Sequence, residues 1–123
     1  MKKQYRIKKS TEIDAIIKKR QSYGNEFFVI YYKEICLNHF RFAISIGKKY
    51  GNSVKRNLMK RQIRSVFREL QDLLNNDFVV VVKPKAVYLK YSEIKNNIEN
   101  LILKINKKEK SNGSDSKKKE QQD

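Results

Sequence analysis

The sequence predicts one domain of mixed helices and strands, and three observations carry that prediction. At 123 residues the chain holds one domain's worth of polypeptide. Three stretches repeat apolar residues at helical spacing, and three others are β-branched or aromatic runs of strand length. The two kinds follow one another as helix, strand, strand, helix, strand, helix.

Residues 1–9 are basic and expected to be extended or loosely ordered. The first helix starts at Ser10 or Thr11, either of which can cap it. Glu12 and Asp14 suit its positive end, Ile13, Ile16 and Ile17 share one face, and Lys18, Lys19 and Arg20 suit the negative end. Tyr23-Gly24-Asn25 breaks the helix. Phe27 to Tyr32 is a strand, with either Phe28 and Tyr32 or Phe27 and Tyr31 facing the core, and Glu34 to Asn38 reads as a hairpin connection. Phe40 to Ile46 alternates Phe40, Phe42, Ile44 and Ile46 against Arg41, Ala43 and Ser45, a second strand. Gly47 and Gly51 bracket a turn into a long helix, from Asn52 or Ser53 to about Leu74. Asn75-Asn76-Asp77 ends that helix, and Phe78 to Val82 is a strand apolar on both faces. Lys83-Pro84-Lys85 closes it. Ser92 then caps a last helix that carries Ile94, Ile98, Leu101, Ile102 and Ile105. The domain is expected over residues 1–106, followed at 107–123 by a disordered polar tail.

Composition narrows the function. Lys and Arg number 29 against 13 acids, a formal charge of +16. The tail, with six Lys and four acids, contributes only +2 of this, so the domain itself is the basic body. Such a balance points to a polyanionic partner. No apolar run approaches a membrane span and no secretory signal is readable, so no membrane partner is expected and the expected location is cytoplasmic. A single cysteine, Cys36, excludes an internal disulfide, and a single histidine, His39, excludes a His-based metal cluster. The domain's acids show no spacing that suggests a two-metal carboxylate cage, so no catalytic residue and no metal ligand is assigned.

The concentrated signal lies between residues 48 and 68. This stretch holds Lys48, Lys49, Lys55, Arg56, Lys60, Arg61, Arg64 and Arg68 and no acid. On a helical wheel Met59, Ile63, Val66, Phe67 and Leu70 fall in one arc. Asn57, Lys60, Arg61, Arg64 and Arg68 fall in another, with Lys60, Arg64 and Arg68 one above the next. Like charges so stacked repel by a few tenths of a kcal/mol per pair, and a phosphate backbone relieves that repulsion. Arg56 sits in the first turn, where unpaired backbone N–H groups also favour an anion.

The run from Lys48-Lys49-Tyr50-Gly51-Asn52-Ser53-Val54 through Lys55-Arg56-Asn57-Leu58-Met59-Lys60-Arg61 to Arg64 and Arg68 resembles the signature of the protein component of bacterial ribonuclease P. Phe28-Val29-Ile30-Tyr31 and the order of elements agree, and the resemblance covers about residues 4–105. It implies an α+β two-layer sandwich: a four-stranded mixed sheet with three helices in the order αβββαβα, and a left-handed crossover through the basic helix. It implies an endoribonuclease subunit for tRNA processing, in which a catalytic RNA subunit and Mg²⁺ remove the 5′ leader of precursor tRNA. The Mg²⁺ is held mainly by the RNA, and DNA is not a partner. The RNA-binding residues it implies are Lys48, Lys49, Asn52, Lys55, Arg56, Asn57, Lys60, Arg61, Arg64 and Arg68. The leader cleft it implies is lined by Tyr5, Ile13, Ile17, Phe28 and Tyr31. Three positions depart from the family pattern. Leu58 stands where an arginine is usual, with Lys55 about 60° away on the same side of the helix. Ile13 and Ile17 stand where aromatic residues are common. The alternative the charge allows is a ribosomal or ribosome-assembly RNA-binding protein. An autonomous nuclease lacks its carboxylates, and a helix-turn-helix DNA binder would not flank its basic helix with strands.

Overall fold

The computed structural model describes residues 5–34 and 39–113. Its elements are α1 (Ser10–Lys18), β1 (Ser22–Gly24), β2 (Phe28–Glu34), β3 (Arg41–Ile46), α2 (Ser53–Glu69), β4 (Asn76–Val82) and α3 (Tyr91–Gly113). The order is αβββαβα. One mixed sheet runs β1-β2-β4-β3, antiparallel except for the parallel pair β3 and β4.

The chemistry of Phe78 to Val82 decides this topology. A strand apolar on both faces gains most where both its edges are paired and both its faces covered. β4 therefore takes an interior position between β2 and β3, and the expected hairpin between those two strands does not form. Register pairs Phe28, Ile30 and Tyr32 with Val82, Val80 and Phe78 on one side. Phe42, Ile44 and Ile46 pair with Phe78, Val80 and Val82 on the other. These residues share a face of the sheet. Against it pack Met59, Ile63, Val66 and Phe67 of α2 and Ile94, Ile98, Leu101, Ile102 and Ile105 of α3. The Phe42 and Phe67 rings stack with centroids 4.4 Å apart. This sheet-on-helices sandwich is the body of the molecule. α1 lies across the opposite face, where Ile16 packs with Val79 and Ile7.

Several boundaries differ from the sequence expectation. Tyr23 and Gly24, expected with Asn25 only to break a helix, join Ser22 in an edge strand that pairs with Tyr31, Ile30 and Val29. α2 ends at Glu69, and a 3-10 turn at Gln71–Leu73 carries the chain to β4. α1 is preceded by Lys9 with no side-chain cap, and α3 starts one residue before Ser92. There the Lys90 N–H donates to the Glu93 carboxylate at 2.9 Å, which supplies the cap expected of Ser92. α3 also continues past residue 106 to Gly113, into the segment expected to be tail. Residues 114–123, and Cys36 with the rest of 35–38, lie outside the described residues.

Candidate nucleic-acid interface

The loop into α2 is built by three local interactions. Lys48–Tyr50 form a 3-10 turn whose Tyr50 ring is buried, and burial pushes its phenol above the ordinary value. Gly51 leaves that turn at φ 157° and ψ −168°, a region essentially restricted to glycine. Asn52 then caps α2, its side-chain oxygen accepting the Lys55 N–H at 3.0 Å. Asn52 is thus engaged in holding the helix start. Arg56 is also partly committed, with Nε donating to the Gly51 carbonyl at 3.1 Å and Nη2 to Ser53 Oγ at 3.3 Å. Lys48, Lys49, Lys55, Asn57, Arg61 and Arg68 are exposed, and Lys60 and Arg64 half-buried. Among the described residues none of the lysines or arginines of 48–68 is ion-paired.

Lys60 and Arg64 do not merely face solvent. They line a hollow of about 250 Å³ at the β3 edge of the sheet, together with Arg6, Lys8, Ile13 and Ala43. The strand-like alternation Arg6-Ile7-Lys8 makes this possible. Ile7 turns inward to the α1 cluster, its N–H donates to the Phe42 carbonyl at 3.0 Å, and Arg6 bridges to Phe42. Burial lowers the Arg64 guanidinium below its ordinary pKa, and the charge of Arg6 across the hollow lowers it further. A cation cluster without an acid is held at a cost that a bound phosphate reverses. Sequence reading missed Arg6 and Lys8, although their alternation about Ile7 placed both on one side.

The five expected cleft residues divide. Ile13, Ile17 and Tyr31 come together, half-buried, beside Ala43 and Val81 on the α1 face of the sheet. Phe28 does not join them. It sits on the opposite face, wholly buried in the main core, because strand alternation places it with Ile30 and Tyr32 rather than Tyr31. Tyr5 is also elsewhere. Its ring stacks on Phe40 at 4.8 Å and meets His39 edge-on at 5.2 Å, against the main core. Of the five, Ile13, Ile17 and Tyr31 are thus brought together, and Ile13 also lines the basic hollow.

An ion cluster links α1 to the sheet. Arg41 donates through Nε and Nη2 to both Asp77 carboxylate oxygens, at 3.0 and 2.7 Å, and through Nη2 to Glu12 at 3.0 Å. These bonds, those to Asp77 first, raise the Arg41 pKa well above its ordinary value. The helix is thereby tied to β3 and β4 beside the cleft. Among the described residues no three His, Cys, Asp or Glu side chains gather as a metal cage. The acids of this cluster are already held by Arg41, so its donor set does not fit Mg²⁺.

Comparison with known proteins decides what this surface belongs to. The sequence model of the Ribonuclease P family matches residues 1–106. The chain belongs to the ribonuclease P protein family. It is 43% identical over 106 residues to the ribonuclease P protein component of Acholeplasma laidlawii, covering 85% of this chain and 91% of that one. To the Streptococcus equi subsp. equi component it is 46% identical over 108 residues, covering 87% and 90%. The solved Staphylococcus aureus RNase P protein superposes with a TM-score of 0.75 at 39% identity, covering 82% of this chain and 94% of that one. The Thermotoga maritima RNase P protein shares the fold, with a TM-score of 0.74 at 24% identity over 80% and 96%. Membership makes the chain a subunit of a ribonuclease P enzyme whose complex includes an RNA. No described helix is long and apolar enough to cross a membrane.

Proposed function

We propose that this protein binds a catalytic RNA through the outer face of α2 and its preceding turn, and receives the single-stranded 5′ leader of precursor tRNA along the α1 cleft. The observation that carries this reading is the continuity of the two surfaces. Lys60 and Arg64 of the basic helix and Ile13 of the cleft line one hollow. A leader lying against Ile13, Ile17 and Tyr31 brings its phosphates to Arg6, Lys8, Lys60 and Arg64. Unpaired bases that reach the Tyr31 ring gain roughly 1–3 kcal/mol each by stacking, with little sequence preference.

Catalysis in this reading belongs to the RNA, which also holds the Mg²⁺, and the complex works in the cytoplasm. The protein's part is physical. Its cations replace counterions on two RNAs at once, which makes assembly strongly salt-dependent. DNA is not a partner in this reading, which places an extended single strand along α1 and an RNA surface on α2.

The test is cleavage of a 5′-extended precursor tRNA at low millimolar Mg²⁺ by protein alone, catalytic RNA alone, and both together. Leader removal stimulated only in the mixture is expected. Tight RNA binding without stimulation would overturn the leader role and favour a ribosomal or assembly function. Cleavage by protein alone would overturn the assignment of catalysis to the RNA.

A further inference from the structure

A second hollow, of about 710 Å³, lies on the other flank of α2. On the helical wheel Lys55, Leu58 and Gln62 sit about 140–240° around the axis from Lys60 and Arg64, so the core-facing arc separates the two hollows. Its rim carries Lys49, Lys55 and Lys85, and its lining includes Leu58, Gln62 and Tyr88 but no acid. Lys85 is paired, its Nζ lying 3.5 Å from the exposed Glu26.

The apolar surface here is unusual. Among the described residues four large hydrophobic side chains are exposed: Val54, Leu58, Tyr88 and Leu103. Leu58 and Tyr88 line this hollow, and Val54 is one helical turn from Leu58. Tyr88 is 86% exposed, at the end of the 3-10 turn Pro84–Tyr88, and Leu58 is 45% exposed. Neither a solvated helix face nor a solvated turn gains from exposing these two side chains beside three lysines. A nucleotide matches all of them at once, with a flat apolar base, polar edges within reach of the Gln62 amide, and an anionic backbone.

We infer that this hollow binds an unpaired nucleotide of the catalytic RNA, its base stacked on Tyr88 against Leu58 and its phosphates on Lys49, Lys55 and Lys85. The inference rests on the proposed binding of the catalytic RNA through α2. The RNA is favoured over the leader because the hollow adjoins the outer face of α2 and lies across the helix from the Ile13 cleft.

The experiment measures affinity of the full chain for the catalytic RNA of its own genome as a function of salt. The proteins are wild type, Tyr88→Ala, Tyr88→Phe and Lys55→Ala. Tyr88 is exposed enough that neither substitution disturbs the core. Loss of a stacked base should weaken binding of Tyr88→Ala about ten- to a hundred-fold with an unchanged salt slope. Tyr88→Phe keeps the ring and should bind like wild type, while Lys55→Ala should lower the salt slope by about 0.7. Tyr88→Ala binding like wild type would overturn the inference. So would Tyr88→Phe being as weak as Tyr88→Ala, since that marks a hydroxyl contact. A defect seen only with leader-bearing precursor tRNA would place the leader in the hollow and overturn it as well. Failure of wild type to bind the RNA is a separate result, which removes the underlying reading.

Discussion

Arg41→Met should be the most destabilising single change available outside the apolar core, and its size follows from the burial of its partner. The Asp77 side chain is 5% exposed and takes both of its charge-assisted bonds from Arg41. Deleting one member of a buried pair costs about 3–5 kcal/mol, mostly from the stranded charge. Arg41 is itself 21% exposed, so water can approach the vacated site and the cost falls near the lower end, about 3 kcal/mol. The Glu12 arm is more open and adds at most about 0.5 kcal/mol. At roughly 4 °C per kcal/mol for a domain of this length, the melting temperature should drop by about 10–15 °C. Urea unfolding followed by far-UV circular dichroism is the assay, on wild type, Arg41→Met, Asp77→Asn and the double variant. The double variant should recover about half of the loss, because the uncompensated charge is gone. Arg41→Met within about 1 kcal/mol of wild type, or no coupling in the cycle, would refute the reasoning. The pH dependence has a definite sign. A group whose folded pKa is raised contributes its full stability below its unfolded value, and for arginine that value lies above the whole working pH range. The Arg41→Met penalty should therefore be the same at pH 7 and pH 10.

Arg64→Ala should weaken binding to the catalytic RNA and lower the slope of log affinity against log salt by about 0.7–0.9, measured by filter binding. Tyr31→Ala should weaken precursor tRNA with a leader relative to leaderless tRNA, with the fold intact, as competition binding would report. Phe28→Ala should instead cost about 3–5 kcal/mol of stability, visible as a shifted urea midpoint, because it opens the core. Gly51→Ala should cost about 1–2 kcal/mol in thermal unfolding. Its backbone region suits glycine, and a Cβ would lie 3.0 Å from the Lys55 side chain.

The basic helix was legible because its charge and its apolar arc are both properties of one local segment. Met59, Ile63, Val66 and Phe67 are buried as the wheel places them, and Asn57, Arg61 and Arg68 of the polar arc are exposed, with Lys60 and Arg64 half-buried. The cleft was legible only in part. Phe28 and Tyr31 are both aromatic strand residues, and period two says that they part, but not which one meets α1. That choice depends on which face α2 and α3 cover, a tertiary fact. The short strand Ser22–Gly24 has too few residues to show a period and exists because β2 offers it an edge. The Arg41 cluster joins positions 12, 41 and 77, which no local pattern relates. The hollow around Arg6 likewise needs a bridge from the chain start to β3.

The interior place of β4 has a consequence for synthesis. β2 and β3 are made early but share no ladder with each other. Both wait for Phe78 to Val82, so only the small β1–β2 hairpin can form before that segment emerges. On the ribosome the nascent chain therefore displays its apolar strands and its most cationic helix without a closed sheet. Folding must proceed as one late event governed by long-range contacts. A fragment ending before Val82 should not hold a native sheet. Any stalled chain of that length would be a sticky polycation amid ribosomal RNA, so release and collapse must be closely coupled in time.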